Sequence, residues 1–364
     1  MKVTFTKSQL KKVGEKLRHA ESLSENDEMI LAEFRIGHRS IIESFRNHHN
    51  TILEKTKWKD RGILFASRLK KRQTLIHKLA SRQQQMDLSR MHDIAGCRLI
   101  FLKLKDLNEY RNRFVDRLHV NRHFVRLYND GRHDYITKPR TTGYRGIHDV
   151  YEEVTNDNVK AKIEVQYRTI TQHAWATALE IWDQTHLHGA KFGLEDPSIQ
   201  YLFSLYAELL WRFIDCDDIH SRKKLNLSDE GLYDAIREYE RKFKVLSELS
   251  KMQRIQTRIR LTADEVLLHR YSLNASWGNT QPLLEARKLS WDMINDDLFE
   301  HEISDTSDFV FVQTNPKFLK RAYNNYFDDA RGFVKRVRSS MVKLHGSRRF
   351  QVFRRPLDEV FLPR

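Results

Sequence analysis

The sequence predicts an α+β fold, in which a mixed β-sheet flanked by helices is followed by a helical connector and a small α+β C-terminal domain. Three observations predict this fold. Apolar residues recur at helical spacing from Ser8 to about Asn47, whereas between Ile63 and Val154 they form short runs separated by polar loops. The segment KIEVQYRT alternates apolar and polar residues, which is typical of a half-buried strand.

The predicted elements follow in chain order. Two or three amphipathic helices occupy residues 8–47. The strand candidates are ILFASRL, GCRLIFL, HFVRLY, IHDVYEEV and KIEVQYRT. The segments ITQHAWATALEIWDQTH and YLFSLYAELLWRFI are predicted to be helices. A long charged run without a strong breaker, from Gly231 to past Leu261, is expected to contain the interdomain connection.

The last hundred residues are predicted to form a smaller unit. We predict helices in ADEVLLHRYSLNA, PLLEARKLSWDMI and FLKRAYNNYFDDARGFVKRV, and a strand in DFVFVQT. The predicted boundaries are therefore residues 1–195 for the first domain, 196–260 for the connector and 261–364 for the C-terminal domain.

The charge balance indicates a polyanionic partner. Lys and Arg number 64 and Asp and Glu 49, which gives a net charge of +15. The basic residues are clustered, because neither Arg61–Arg82 nor Arg331–Arg355 contains an acidic residue. A merely solvated basic surface is the alternative explanation.

Only two cysteines are present, which excludes a disulfide framework and a four-cysteine zinc site. The N-terminal segment has no apolar signal core, and no stretch approaches the length of a membrane span. We therefore expect a soluble, cytoplasmic protein with no membrane partner. The sequence does not indicate an oligomeric state.

Two carboxylates are the main candidates for chemistry. Asp93 comes just before a hydrophobic strand, and Glu164 shares the polar face of KIEVQYRT with Gln166 and Arg168. A cationic loop, DYITKPRTTGYRGIH, lies between them. This arrangement suits binding of a metal-nucleotide and phosphoryl transfer. Alternatively, Asp93 caps a turn and Glu164 belongs to a solvated strand face.

The segment SRLKKRQTLIHKLA is a candidate triphosphate clamp. Arg68, Lys70 and Lys78 carry the charge and Thr74 supplies a hydroxyl, at offsets that bring them to one side of a turn and early helix. A solvated basic helix or a nonspecific nucleic-acid patch remains possible. The segment is not a Walker loop, because the glycines are missing.

Taken in order, these motifs resemble the synthetase domain of the RelA/SpoT family over about residues 55–185. The matching positions are Arg68, Lys70, Thr74, Lys78, Asp93, Gly96, Arg98, Asp134, Tyr135, Lys138, Gly143, Tyr144, His148, Glu164, Gln166, Arg168, His173 and Trp175. The resemblance implies a nucleotidyltransferase-like synthetase core. It also implies an ATP-dependent pyrophosphokinase, in which a ribose 3'-hydroxyl attacks the β-phosphorus of ATP and AMP departs.

The resemblance also implies roles for these residues. Asp93 and Glu164 would hold Mg²⁺, and Glu164 would orient or deprotonate the attacking hydroxyl. Tyr144 would stack on the acceptor base. ATP would be bound by Arg68, Lys70, Thr74, Lys78 and Arg98, and the acceptor also by Lys138, Arg145, His148, Gln166 and Arg168. A buried structural histidine is the alternative for His148.

The acceptor loop departs from the family pattern. Members that make alarmones usually read Pro-Asn-Gly-Tyr-Gln-Ser, whereas this loop reads Thr-Thr-Gly-Tyr-Arg-Gly at 141–146. The departure places GDP or GTP as acceptor in question. Some short members act as toxins on the tRNA 3'-CCA end, so tRNA is the preferred acceptor. The alternatives are (p)ppGpp synthesis and a catalytically silent RNA-binding module.

The overall layout resembles fused toxin–antitoxin members of the CapRel type. In such members a YxxY element is thought to block the ATP site, and Tyr323 and Tyr326 match that element. The resemblance implies an autoinhibited enzyme with a role in anti-phage defence and a phage protein as its trigger. Alternatively, both rings pack in the core of their own domain, or the C-terminal region docks RNA.

Overall fold

The computed structural model describes residues 4–54, 58–70, 72–81, 87–121, 124–154, 160–186, 197–216, 225–251, 256–259, 265–274, 280–288, 307–314, 319–327 and 329–352. Its helices are α1 Lys7–Arg18, α2 Glu25–Gly37, α3 Arg39–Glu54, α4 Arg72–Ser81, α5 Leu104–Asn121, α6 Ile170–His186, α7 Pro197–Leu210, α8 Asp229–Phe243, α9 Val245–Lys251, α10 Leu319–Ala322 and α11 Arg331–Val352. Its strands are β1 Leu64–Leu69, β2 Ala95–Phe101, β3 Phe124–Arg126, β4 Ile147–Glu153, β5 Lys162–Thr169, β6 Gln256–Ile259, β7 Glu265–Asn274, β8 Thr280–Lys288 and β9 Ser307–Gln313.

The chain divides into two compact units. Unit 1 comprises Met1–Asp134, Ile147–Arg168 and Ile255–Phe327, and unit 2 comprises Tyr135–Gly146, Thr169–Arg254 and Asp328–Arg364. The described strands of unit 1 form one sheet in the order β3-β4-β5-β2-β1-β9-β7-β8-β6. The sheet is mixed, because β6 runs parallel to β8 whereas β1, β4 and β7 have antiparallel partners. The predicted α+β class is confirmed.

The N-terminal helices form as predicted, and side-chain hydrogen bonds cap the N-termini of α1 and α2. Thr6 and Gln9 form a capping box at the start of α1, and Ser24 and Asp27 form one at the start of α2. The apolar faces of α1, α2 and α4 pack into one buried cluster with Leu88 and Ile94. This packing fixes α4, which carries candidate phosphate-binding residues, beside the start of β2.

Strand β5 shows the predicted alternation. Ile163, Val165 and Tyr167 are fully buried, whereas Glu164 and Gln166 are half-buried on the opposite face. Burial of the apolar side chains fixes the register of β5 against β4, because a slip by one residue would reverse the two faces. The carboxylate of Glu164 is therefore held by the core behind it.

Unit 2 is a helical assembly with its own core. Apolar residues of α6, α7, α8, α9 and α11 form one buried cluster. Phe203 of α7 stacks on Phe333 of α11, with ring centroids 6.2 Å apart. Beyond α7, a π-helical turn continues through Trp211–Asp215.

Several predicted elements are corrected. The helices expected in ADEVLLHRYSLNA and PLLEARKLSWDMI are wrong where the structure describes them, because Glu265–Asn274 and Thr280–Lys288 form the antiparallel strands β7 and β8 and strand pairing overrides local propensity. Residues 289–294 of the second segment lie outside the described residues. The continuous helix predicted through FLKRAYNNYFDDARGFVKRV is interrupted, because Tyr323, Tyr326 and Phe327 are buried in a turn between α10 and α11. The charged run after Gly231 breaks at Lys244, which adopts a left-handed conformation with φ 54°.

The two units do not follow the predicted boundaries at 195 and 260. The described residues of 261–364 are shared between the units, because β9 pairs with β1 in unit 1 and α11 packs on α7 and α8 in unit 2. Among the described helices, none has both the length and the apolar character that a membrane crossing requires.

Candidate active site

The carboxylate of Asp93 is the centre of a charged cluster in unit 1. It accepts hydrogen bonds on Oδ2 from Lys70 Nζ at 2.7 Å and from Lys78 Nζ at 2.6 Å. Lys70 follows β1, Lys78 belongs to α4, and Asp93 precedes β2. A backbone hydrogen bond of 2.8 Å from Lys70 N to Ile94 O ties the two strand ends together. Three predicted site residues thus converge from three elements.

The second oxygen of Asp93 is available for another ligand. Asp93 Oδ1 is buried and accepts no hydrogen bond from the residues that the structure describes. Burial alone would raise the pKa of this carboxyl, but the charges of Lys70 and Lys78 outweigh burial and hold its pKa below the usual range. The group is therefore an ionised carboxylate with one unused oxygen.

Glu164 forms the second carboxylate centre. Its Oε1 accepts a hydrogen bond of 2.7 Å from Gln166 Nε2 and lies 3.4 Å from His148 Nδ1. Burial would raise the pKa of Glu164, but the neighbouring His148 and the Gln166 hydrogen bond hold it well below the usual range. Glu164 is near enough for its charge to raise the pKa of Asp93. The two carboxylates therefore interact electrostatically.

This pair fits Mg²⁺. Within the described part of the chain, no group of three or more His, Cys, Asp or Glu residues is arranged to hold a metal ion. Mg²⁺ is usually held by one or two carboxylates together with substrate phosphates and water, so two suffice. The unused Oδ1 of Asp93 and the ionised Glu164 are suitable ligands.

Other predicted site residues of unit 1 lie on β5, α4 and the strands β1 and β2. Arg168 Nη2 donates to Gln166 Oε1 at 2.8 Å, which continues the chain of contacts that begins at Glu164. Thr74 lies in the first turn of α4. A surface depression is lined by Ala66, Arg68, Gly96, Cys97, Arg98, Gln166 and Tyr323.

Tyr323 is part of that depression. Its ring is 3% exposed, and its hydroxyl donates a hydrogen bond of 2.7 Å to the carbonyl of Ser67 in β1. Arg98 Nη1 donates to the carbonyl of Ala322 at 3.3 Å. Tyr326 is also buried, with its ring centroid 6.5 Å from that of Tyr323. The segment with Ala322 and Tyr323 thus contacts Arg98, a predicted ATP-binding residue, and Ser67, which precedes another one, Arg68.

Tyr144 belongs to the loop Tyr135–Gly146 of unit 2. It makes an edge contact with Tyr135, with ring centroids 5.7 Å apart, and lies near Trp175 at 6.3 Å. The guanidinium of Arg140 lies 4.4 Å from the Tyr135 ring and 5.9 Å from the Tyr144 ring. Lys138 is exposed in the same loop. Aromatic rings and cations therefore occur together on this loop.

Arg145 occupies a different environment from the one expected of an acceptor contact. The sequence placed it with the exposed loop cations, but its side chain is 5% exposed and its Nη2 donates to Glu208 Oε2 at 3.1 Å. Its guanidinium lies 4.6 Å from the Trp211 ring. Arg145 therefore contacts helix α7 and the turn after it.

Three further residues contact the candidate site residues or their loops and were not predicted from the sequence. Arg140 stacks on the aromatic loop, and its position directly after Pro139 in a tyrosine-rich loop was an available signal. Arg35 donates to the carbonyl of Lys70 from Nε at 3.2 Å and Nη2 at 2.9 Å, but nothing in the sequence of α2 marks it. Ser67 contributes through its backbone carbonyl, so its side chain gives no signal.

Part of the chain is similar to known proteins. Residues 67–182 match the family model described as a region found in RelA / SpoT proteins. The GTP pyrophosphokinase YwaC of Bacillus subtilis (strain 168) is 31% identical over 118 residues, which make up 30% of this chain and 53% of that protein. The chain thus matches about half the length of this curated relative.

Two solved structures are also similar. A GTP pyrophosphokinase family protein from Streptococcus pneumoniae has 22% identity and a TM-score of 0.40, covering 51% of this chain and 88% of that one. The small alarmone synthetase 1 from Bacillus subtilis, bound to its product pppGpp, has 18% identity and a TM-score of 0.40, covering 60% and 96%.

The resemblance predicted from the motifs between residues 55 and 185 is confirmed at the level of the domain. The matched segment contains Asp93, Glu164, Lys70 and Lys78, which form the charged cluster. Residues 67–182 of this chain therefore match a region found in RelA / SpoT proteins.

Proposed function

We propose that the chain is an ATP- and Mg²⁺-dependent pyrophosphokinase that transfers the β,γ-diphosphate of ATP to a ribose 3'-hydroxyl. The observation that carries this proposal is the convergence of Lys70 and Lys78 on Asp93, beside the ionised Glu164. Two lysines on one oxygen are a ready source of cations for a triphosphate. The RelA/SpoT region and the pyrophosphokinase name of the relative support the same reaction.

In this proposal the cations bind the donor. Arg68, Lys70, Lys78 and Arg98 contact the phosphates of ATP, and Thr74 adds a hydroxyl. Asp93 and Glu164 hold Mg²⁺, which would offset the negative charge of the triphosphate when bound.

Glu164 positions the acceptor hydroxyl. A carboxylate with a low pKa is a weak base, so its low pKa favours the role of holding the hydroxyl by a hydrogen bond. The acceptor oxygen forms a bond to the β-phosphorus as the bond from that phosphorus to the α,β-bridging oxygen breaks, and the hydroxyl proton is released to water. AMP leaves with the electron pair of that bond. Gln166 and His148 keep the carboxylate of Glu164 in place.

We propose the tRNA 3' end as acceptor, with its terminal base stacked on Tyr144. The altered loop at 141–146 and the basic surface of α11 support this choice. Lys335, Arg338 and Lys343 are exposed on α11 and have no carboxylate partner among the described residues, while Phe333 and Val337 are buried. The exposed face of α8 is by contrast balanced, with Glu230, Asp234, Glu238, Arg237, Arg241 and Lys242.

The second candidate is (p)ppGpp synthesis, with GDP or GTP as acceptor and the same donor residues. The name of the curated relative, a GTP pyrophosphokinase, favours it. A catalytically silent RNA-binding module is the third reading, and the ionised carboxylates weigh against it.

We further propose that the C-terminal segment inhibits the enzyme. Tyr323 lines the depression that contains Arg68 and Arg98. The guanidinium of Arg98 donates a hydrogen bond to the carbonyl of Ala322. Strand β9 pairs with β1 at Ser67 and Arg68, which holds this segment on the predicted ATP-binding strand. Resemblance alone suggests anti-phage defence with a phage protein as the releasing signal.

The acceptor is tested with γ-labelled ATP and purified protein, offered either tRNA or GDP and GTP. Transfer to tRNA, abolished by chelating Mg²⁺, is the expected result. Label on guanine nucleotides alone would overturn the tRNA proposal and favour the second candidate. RNA binding with no label transfer to either acceptor, by the wild type and by a Tyr323→Phe variant that weakens the inhibitory contact, would favour the silent module.

A further inference from the structure

The loop that carries Tyr144 is built directly onto helix α7. Gly143 has φ +90°, and a Cβ atom there would lie 2.8 Å from both Ala207 Cβ and Ser204 Cα. Real side chains do not tolerate such distances, so the loop backbone lies against the surface of the helix. The residue that precedes Tyr144 is thus fixed by α7.

The residue that follows Tyr144 is fixed by the same helix. Arg145 donates to Glu208 Oε2 at 3.1 Å, and Glu208 is 1% exposed. Burial lowers the pKa of Arg145 to about 10, although Glu208 opposes this change. A buried guanidinium needs its counter-charge, so Glu208 holds Arg145 in one place.

Glu208 is itself held by a second arginine. Its Oε1 accepts from Arg212 Nε at 2.8 Å. Arg212 Nη1 donates to Asp229 Oδ1 at 2.9 Å, and its Nη2 donates to the carbonyl of Leu225 at 3.2 Å. The network therefore runs from Arg145 through Glu208 and Arg212 to Asp229, with alternating positive and negative charges. Helices α7 and α8 of unit 2 hold it in position.

We infer that Glu208 is a positioning residue for the acceptor, because it fixes the loop on which Tyr144 lies. The inference rests on the proposed function and deepens it. It assigns part of acceptor recognition to α7, which lies outside residues 67–182, the RelA/SpoT region. Acceptor preference is then set by the helix beneath the loop as well as by the loop residues themselves.

The test is the Glu208→Gln variant, which keeps the shape of the side chain and removes its charge. Displacement of a binding group by about 1 Å costs on the order of 100-fold in rate, so kcat/KM for the acceptor should fall about 10- to 100-fold. The KM for ATP should change by less than about 2-fold. The matched control is Glu240→Gln, since Glu240 of α8 accepts from Tyr206 Oη and from Leu246 N, away from the loop.

A double-variant cycle checks the pathway. If Glu208 acts through Arg145, then Arg145→Met combined with Glu208→Gln should be no worse than the more severe single variant. Should Glu208→Gln fail to fold, Arg145→Met alone tests the same contact, because it removes the guanidinium that Glu208 holds. It should lower kcat/KM for the acceptor and change the KM for ATP by less than about 2-fold.

Equilibrium binding of labelled tRNA and of GTP without ATP gives a readout that does not depend on transfer. Weaker acceptor binding with an unchanged KM for ATP supports the inference. A lowered melting temperature with unchanged acceptor affinity would overturn it, since Glu208 would then be merely structural. Absence of label transfer by both the wild-type protein and the Tyr323→Phe variant, in which the inhibitory contact is weakened, would overturn the proposed function instead, and acceptor binding would still report on Glu208.

Discussion

At the scale of single residues, the site depends on how buried charges are compensated. Asp93 and Glu164 both remain ionised despite burial, because lysines surround the first and an imidazole and an amide contact the second. Each carboxylate therefore carries the negative charge that a divalent cation requires. Asp93 Oδ1 accepts no hydrogen bond from the described residues, so it can coordinate a cation without breaking an existing contact.

We expect Glu164→Gln to lower kcat by about 100-fold or more, because a neutral amide holds Mg²⁺ and the attacking hydroxyl more weakly than the carboxylate does. Transfer of label from γ-labelled ATP measures this loss. Glu153→Gln, at the end of β4, is the control and should retain activity. Unchanged transfer by Glu164→Gln would remove Glu164 from the proposed mechanism.

Asp215 predicts a pH dependence of stability. Burial raises its pKa from 3.8 to about 6, despite a 2.9 Å hydrogen bond from Thr169 Oγ1. The folded state thus holds this proton more tightly than the unfolded state. Its contribution to stability is therefore full below about pH 4 and is lost as the pH rises to about 6.

Asp215→Asn should therefore be more stable than the wild type at pH 8, by up to about 3 kcal/mol for a shift of two pKa units. The gain should be about half as large at pH 5. Denaturant unfolding at the two pH values measures it. Asp234→Asn, an exposed carboxylate of α8, should show no such gain, and an equal gain at both pH values for Asp215→Asn would contradict the assignment.

At the scale of elements, the pairing of β9 with β1 has a functional consequence. The pairing brings residues far apart in the chain into contact, namely Val312 with Arg68 and Tyr323 with Ser67. Among the described residues, the strands are joined by the pairs Ser67–Gln313 and Arg68–Val312 and by a hydrogen bond from Thr314 Oγ1 to the carbonyl of Phe65. A connection this short costs less to open than the longer pairing of β9 with β7.

Tyr323→Phe should raise pyrophosphokinase activity about 2- to 10-fold, because it removes a hydrogen bond worth about 0.5–1.5 kcal/mol to the docked segment. Tyr326→Ala should act in the same direction. Initial rates of label transfer measure the change, and Tyr201→Phe, on the exposed side of α7, is the control. A fall in activity would indicate that the segment supports the site instead of blocking it.

Point substitutions are a sharper test than truncation. Removal of the residues beyond about 250 would also remove α11, whose Phe333, Val337 and Leu344 are buried among the helices of unit 2. Truncation therefore combines release of the segment with loss of a helical core, whereas Tyr323→Phe leaves that core intact.

At the scale of the whole molecule, the chain has a net charge of +15, and segments 61–82 and 331–355 contain basic residues but no acidic ones. Helix α11 begins without an acidic residue in its first turn and carries cations one turn apart, an arrangement that disfavours the helix electrostatically. Its stability comes from the apolar face packed on α7 and α8. The exposed cations are thus free to meet a polyanion.

Replacing Lys335, Arg338 and Lys343 together by Ala should weaken tRNA binding and reduce the slope of log K against log salt by about 2 to 3. The matched control replaces Arg237, Arg241 and Lys242 of α8 by Ala, which removes the same charge from a face that also carries acids. Binding measured at several salt concentrations decides the point. Equal slopes for the two variants would show that α11 makes no specific contribution.

Much of the fold and site followed from local patterns. The alternation of β5 predicted the shared face of Glu164 and Gln166, because side chains of a strand alternate strictly. The spacing in the first fifty residues predicted the N-terminal helices. In contrast, β7 and β8 were expected to be helical, because leucine-rich segments fit either structure and the decision came from pairing with distant strands.

The sequence by itself determined the candidate chemical groups of this protein: the two carboxylates, the lysines and an ordered set of motifs that resembles a RelA/SpoT region. The tertiary structure alone decided which partners several other candidate residues contact. It directed Arg145 to Glu208 instead of to solvent, placed Tyr323 against Ser67 and joined β9 to β1. The physical reason is that chemical type is a property of a residue, whereas burial and pairing depend on partners brought together from distant parts of the chain.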